Sequence, residues 1–239
     1  MTEGKVNDPA KDNSRRNFLK YMTLLGAAAV SVGVLRGALQ NITPAVSGVT
    51  GGFPTMQLVD SSGNPIKTTD LVVNNPQIVT FNYPLQSDPN FLLRLGDSSN
   101  NDVVVKPIAN VPIPAGGSFP SPGGTGPYKS VVAASAICQH LGCKPPEIRF
   151  HSPSAANFPG KIHCDCHGST YDPYTGFSVV TSPTTHPLPN VTLNWDSSTD
   201  TYSAAGLVGP TIYGQPSDLS GGTPFPSGTT KTTVTSEAP

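Results

Sequence analysis

Cys138-Gln139-His140-Leu141-Gly142-Cys143 and Cys164-Asp165-Cys166-His167-Gly168-Ser169-Thr170-Tyr171 hold all four cysteines of the 239-residue chain. With every thiol confined to two short boxes, none is left for a scattered disulfide framework. Each box offers one Cys and one His as possible ligands plus one further Cys. Three chemistries compete for such a set: a structural zinc, two plain disulfides, or an iron-sulfur centre of mixed ligation. Two boxes that each repeat one Cys and one His suit a two-iron cluster with thiolates on one iron and imidazoles on the other. The spare Cys of each box can then join the two loops.

Outward from the boxes the chain reads as short strands. Gln77–Tyr83, Phe91–Leu95, Val103–Ile108 and Tyr128–Ala133 are β-type runs separated by turn residues. Val191, Leu193 and Trp195 alternate with polar residues before Asp196-Ser-Ser-Thr-Asp200, which predicts a hairpin. The 24 Gly and 26 Pro argue against long regular helices past Leu39. Charged residues are only 12% and the net charge is -1, so no basic field exists to hold nucleic acid. Low net charge with 36% apolar residues fits one buried core, of roughly 160 residues, better than a disordered chain. The expectation is an all-β antiparallel sandwich or barrel.

The termini read differently. Ser14-Arg15-Arg16-Asn17-Phe18-Leu19-Lys20 precedes an apolar run from Tyr21 to Leu35 that extends to Leu39 if Arg36 snorkels, and the order resembles a twin-arginine export signal. The reading is a cytoplasmic twin-arginine region over 1–20 and one N-terminal transmembrane helix over 21–39, retained as an anchor with all that follows outside. A flexible linker over 40–52, a main domain over 53–213 and a low-complexity tail over 214–239 complete the organisation. Asn41-Ile-Thr43 and Asn190-Val-Thr192 are sequons, a pattern frequent by chance.

Both boxes resemble those of the Rieske iron-sulfur family, C-x-H-x-G-C followed by C-x-C-H-G-S-x-Y, at every specified position. The resemblance implies a Rieske-type antiparallel sandwich with a small cluster-binding part at about 136–189. It implies a [2Fe-2S] cluster with Cys138 and Cys164 on one iron, His140 and His167 on the other, and a disulfide between Cys143 and Cys166. Ser169 and Tyr171 match positions whose hydroxyls hydrogen-bond to a cluster sulfur and to a cysteine ligand, and Ser182–Pro189 is similar to the proline-containing loop that covers the cluster. The departures are Gln139, Asp165 and a long insert, Lys144–His163, whose prolines suggest an elaborated surface loop. Of the other histidines, His151 reads as a solvated loop residue, His163 as a strand neighbour facing away from the cluster, and His186 as part of the covering loop.

A zinc site explains neither Gly142, Gly168, Ser169 and Tyr171 together nor an export route able to carry a folded, loaded protein. The boxes look closest to respiratory versions of the archaeal kind. The expected role is therefore the Rieske subunit of a membrane quinol-oxidising complex, on the outer face of the cell membrane. His140 and His167 would contact quinol for proton-coupled electron transfer, with cytochrome b-like and cytochrome c-like or oxidase subunits as partners. The alternative is the small Rieske subunit of an exported molybdenum oxidase such as arsenite oxidase. Cytoplasmic Rieske ferredoxins and ring-hydroxylating oxygenases are disfavoured, since they generally lack the extra cysteines and the export signal.

Overall fold

The computed structural model describes residues 53–214 and 222–239, so the expected export signal, anchor and linker lie outside the described residues. Among the described residues no helix is long and apolar enough to cross a membrane. The regular structure is almost entirely strand: β1 (Met56–Val59), β2 (Ile78–Asn82), β3 (Pro89–Arg94), β4 (Ile108–Pro112), β5 (Ser118–Ser121), β6 (Val131–Ser135), β7 (Ile148–Phe150), β8 (Ile162–Cys164), β9 (Thr170–Asp172), β10 (Ser178–Thr181), β11 (Asn190–Asp196), β12 (Thr201–Val208) and β13 (Lys231–Glu237). Seven strands close a barrel in the order β1-β12-β11-β6-β3-β2-β13, four form a small sheet in the order β10-β9-β8-β7, and β4 pairs with β5 as a separate hairpin.

The strand period of two explains how barrel and small sheet share a wall. β6 is buried at all five positions, as a strand covered on both faces must be. Val131 and Ala133 face a barrel core with Leu92, Phe81, Val191 and Tyr202. The alternate residues Val132, Ala134 and Ala136 face a second core with Phe91, Leu93 and Leu95. Ile148, Phe150, Ile162, Tyr171, Phe177 and Leu188 complete that second core from the small sheet and its connections. Continuing the same alternation two residues past Ala136 delivers Cys138, 1% exposed, into the second core. Ile162 and Cys164 reach it by the same rule from β8, while His163 between them faces the other way. The barrel thus fixes one box and the small sheet the other.

Sequence and structure differ at three elements. The closing strand β13 lies inside the segment read as a low-complexity tail, pairing parallel with β1 and antiparallel with β2. Its Lys-Thr-Thr-Val-Thr-Ser-Glu has one large apolar residue, yet β-branched Thr and Val suit a half-buried pleated surface, and buried Thr232 donates to the Asn82 carbonyl at 2.7 Å. The insert read as a surface loop contains β7, paired with β8 from Ile148↔Cys164 to Phe150↔Ile162. It orders because Ile148 and Phe150 point into the second core. Val103–Val105 runs beside the barrel without joining the sheet: Val103 bonds to the Leu95 carbonyl and Val105 to that of Lys129, after which Pro107 lacks a donor. The hairpin expected after Val191 is present, with β11 and β12 paired from Asn190↔Val208 to Asp196↔Thr201. Its Asn190 is 1% exposed, accepts from Ser121 Oγ at 2.7 Å and donates to the Leu188 carbonyl at 2.9 Å, so that sequon is closed to a glycan in the folded protein.

Candidate metal centre

Each box is a tight loop closed by two backbone hydrogen bonds. In the first, Cys138 N donates to Cys143 O at 2.8 Å and Gly142 N to Cys138 O at 2.9 Å; in the second, Cys164 N donates to Ser169 O and Gly168 N to Cys164 O, both at 2.9 Å. Gly142 and Gly168 sit at φ +82° and +90°, a region that only glycine enters without strain. The two loops meet. Cys143 and Cys166 form a disulfide across them, and the His140 and His167 rings stand edge to face with centroids 4.8 Å apart.

Cys138 and Cys164 remain as buried free thiols. A hydrogen bond from Cys164 holds Cys138 well below the ordinary thiol range, at about 5 against opposing burial, with further donation from the Tyr171 hydroxyl, the His140 amide and the Ser169 hydroxyl. The same contact and burial push Cys164 up. Tyr171 lies with Oη 3.3 Å from Cys138 Sγ and accepts from the Gln139 amide at 3.0 Å, which leaves its own proton for the sulfur. Its ionisation is suppressed by burial first and then by the Cys138 charge. Ser169 Oγ accepts from the Thr184 amide at 3.2 Å, tying the covering loop to the second box.

These donors fit a metal centre. His140 Nδ1 is buried with no hydrogen-bond partner, an arrangement that costs free energy unless something else occupies its lone pair. The ring nitrogen of exposed His167 lies within 4.8 Å of the Cys143 and Cys166 sulfurs, but these are bonded to each other and so are spent as ligands. The set left to bind metal is two buried thiols and two imidazoles, the composition of mixed-ligand two-iron centres. Residues 125–192 match the Rieske [2Fe-2S] domain, and 30% of residues are identical to the soluble domain of the Rieske protein II (soxF) from Sulfolobus acidocaldarius, over 66% of this chain and 79% of that one, with a TM-score of 0.46. The chain belongs to the Rieske [2Fe-2S] family. It is also 27% identical over 173 residues to the cytochrome b6-f complex iron-sulfur subunit 2 of Synechocystis sp., covering 72% of this chain and 74% of that one. The cytochrome b6-f complex iron-sulfur subunit of Parasynechococcus marenigrum is 28% identical over 159 residues, covering 66% and 67%.

As a Rieske protein the chain carries a [2Fe-2S] cluster and serves electron transfer. Two neighbours of its site, and the surroundings of His151, were not legible in the sequence. Gln139 is 6% exposed and its amide orients Tyr171. Thr184, 2% exposed, links the covering loop to Ser169. His151, read as solvated, is half-buried against Phe158 and His163, at ring centroids of 5.5 and 6.3 Å, because Phe158 folds the insert back and stacks on His163 at 3.5 Å. His163 faces away from the second core, as expected, and its Nδ1 meets Thr170 Oγ1 at 2.8 Å. His186 lies in the covering loop with Nδ1 3.0 Å from Thr185 Oγ1. The Gln139–Tyr171 and Thr184–Ser169 contacts join residues 32 and 15 positions apart, and their residue types carry no motif.

Proposed function

We propose that this protein is the Rieske subunit of a membrane quinol-oxidising respiratory complex, taking an electron and a proton from quinol and passing the electron to a cytochrome. Cys138 and Cys164 would hold one iron, and His140 and His167 the other. When bound, a cluster of this ligation supplies a one-electron acceptor of higher potential than an all-cysteine centre, since neutral imidazoles replace two thiolate charges. The observation that carries the proposal is the arrangement of the two imidazoles. They stand edge to face where the loops meet, with His167 exposed and His140 Nδ1 buried, which leaves His140 Nε2 for a quinol hydroxyl.

The chain's own residues have distinct tasks in this reading. Ile148, Tyr171 and Leu188, all 0% exposed, keep water from the cysteine side. Tyr171 and Ser169 donate toward sulfur and favour the more electron-rich reduced state. The Cys143–Cys166 bond holds the two loops, and hence the two imidazoles, in register. An outward ring nitrogen of His140 or His167 takes the quinol proton as the electron leaves. Support for the partners comes from the relatives named as subunits of cytochrome b6-f complexes. Anchoring by 21–39 with the head outside, on a linker over 40–52 that lets it travel between donor and acceptor, belongs to the same proposal.

The test is isolation of the full chain from native membranes followed by addition of quinol. Co-purification with haem-containing subunits, and quinol-dependent appearance of the reduced-cluster EPR signal, are the expected results. Co-purification with a molybdenum subunit and no response to quinol would contradict the proposal and favour the molybdenum-oxidase assignment.

A further inference from the structure

We infer that residues 209–214, directly after β12, form a strap over the first box, with Tyr213 as the positioning residue that holds the His140 loop. The inference rests on the ligand roles proposed for that box. The chain leaves the barrel at Val208, and Ile212, 2% exposed, packs with Leu85 and Ile137 in a small apolar cluster of their own. Ile137 immediately precedes Cys138. The next residue, Tyr213, lies over the far end of the same loop: a Cβ added at Gly142 would stand 2.9 Å from Tyr213 Cδ1 and 3.2 Å from Cε1. Ile212 and Tyr213 therefore grip the first box at both ends, just before Cys138 and just before Cys143. Further on, Thr223 accepts from Gln86 N at 2.9 Å and Pro224 from Gln86 Nε2 at 2.7 Å, beside Leu85, before the chain re-enters the barrel at Lys231.

The second box supplies the control. Gly168 occupies the same place in its loop and nearly the same φ, yet a Cβ there would meet nothing within 4 Å. That loop is steadied from elsewhere, by the Thr184 amide on Ser169 Oγ. Each box thus has its own brace, the covering loop for the second and the strap for the first. Tyr213 is 40% exposed, so truncating it opens the first loop without emptying either core.

The experiment uses the full chain loaded with its cluster and compares wild type, Tyr213→Ala and Tyr213→Phe. Tyr213→Ala is expected to lose cluster about five- to tenfold faster on dilution or mild heating, equivalent to about 1 to 1.4 kcal/mol. Its EPR signal should broaden and shift in g, since an unbraced His140 samples more orientations. Tyr213→Phe keeps the ring and should restore both properties. Wild-type spectrum and retention in Tyr213→Ala would overturn the inference, whereas absence of iron from wild type would instead overturn the ligand roles beneath it. Gly142→Ala and Gly168→Ala give an independent reading, because both suffer the left-handed backbone and only Gly142→Ala meets the ring. Gly142→Ala should lose cluster faster than Gly168→Ala, and the gap should narrow when Tyr213→Ala is added, as for coupled neighbours. An equal effect of Gly142→Ala with and without the tyrosine ring would also overturn the strap.

Discussion

The first and second boxes are nearly the same loop set in different surroundings. Both are closed by the same pair of backbone hydrogen bonds and both turn at a left-handed glycine. The first continues a fully buried barrel strand, and Cys138 and Gln139 are 1% and 6% exposed. The second joins two three-residue strands of the small sheet, and Asp165, Cys166 and His167 are exposed. Yet the second box and its continuation send Ser169 and Tyr171 back to the first box's Cys138. The labour is divided: the barrel gives a fixed position, the small sheet gives the exposed imidazole and the hydroxyls, and one disulfide ties the two.

If the boxes share one centre, crippling either should empty both. Cys138→Ser and Cys164→Ser are each expected to abolish bound iron and acid-labile sulfide, checked by elemental and sulfide analysis of the full chain. Half occupancy in either variant would break the comparison into two independent sites.

Next in size is the tie itself. Cys143 and Cys166 are 23 residues apart, and closing a loop of that length is worth about 3 kcal/mol in the chain-entropy account. Replacing both by Ala should lower the melting temperature of the metal-free protein by about 6–12 °C in calorimetry and speed cluster loss. An unchanged melting temperature would mean that the barrel wall alone orders the second box.

The crossing of hydroxyls predicts a smaller effect. Tyr171→Phe and Ser169→Ala each remove a donor while keeping volume, and a difference of about 1 to 2 kcal/mol between cluster states corresponds to a fall of roughly 40–90 mV in midpoint potential. Protein-film voltammetry would measure it. A drop for Ser169→Ala alone would show that the Tyr171 proton is not directed at Cys138.

Surface charge should matter least. Arg149 on β7 pairs with Asp165 at 2.6 Å, with the carboxylate side chain 44% exposed. Arg149→Ala is therefore expected to cost under about 1 kcal/mol in denaturant unfolding. A larger loss would show that β7 positions the second box through charge as well as through Ile148 and Phe150.

Much of this was legible in the sequence. The boxes announce themselves because ligand chemistry demands particular residue types at short fixed spacing, and the β11–β12 hairpin because period-two patterning and a polar turn coincide. β13 was hidden because Thr232 is its one buried residue and Val234 its one large apolar side chain, and β7 because its three residues lie in a proline-rich insert. The direction of Tyr171 toward the other box's cysteine, and the position of Tyr213 over Gly142, depend on non-local packing that no local pattern encodes.

In the proposed reading one mixed-ligand cluster is shared by the two boxes. Pulsed EPR of the reduced full-length protein tests it most directly, because directly coordinated nitrogen modulates the electron-spin echo. The account predicts a rhombic signal of low average g with couplings from two inequivalent imidazole nitrogens, one lost in His140→Ser and the other in His167→Ser if a residual centre assembles, or the whole signal lost if none does. A reduced signal with no strongly coupled nitrogen, or an unchanged spectrum in either variant, would contradict it.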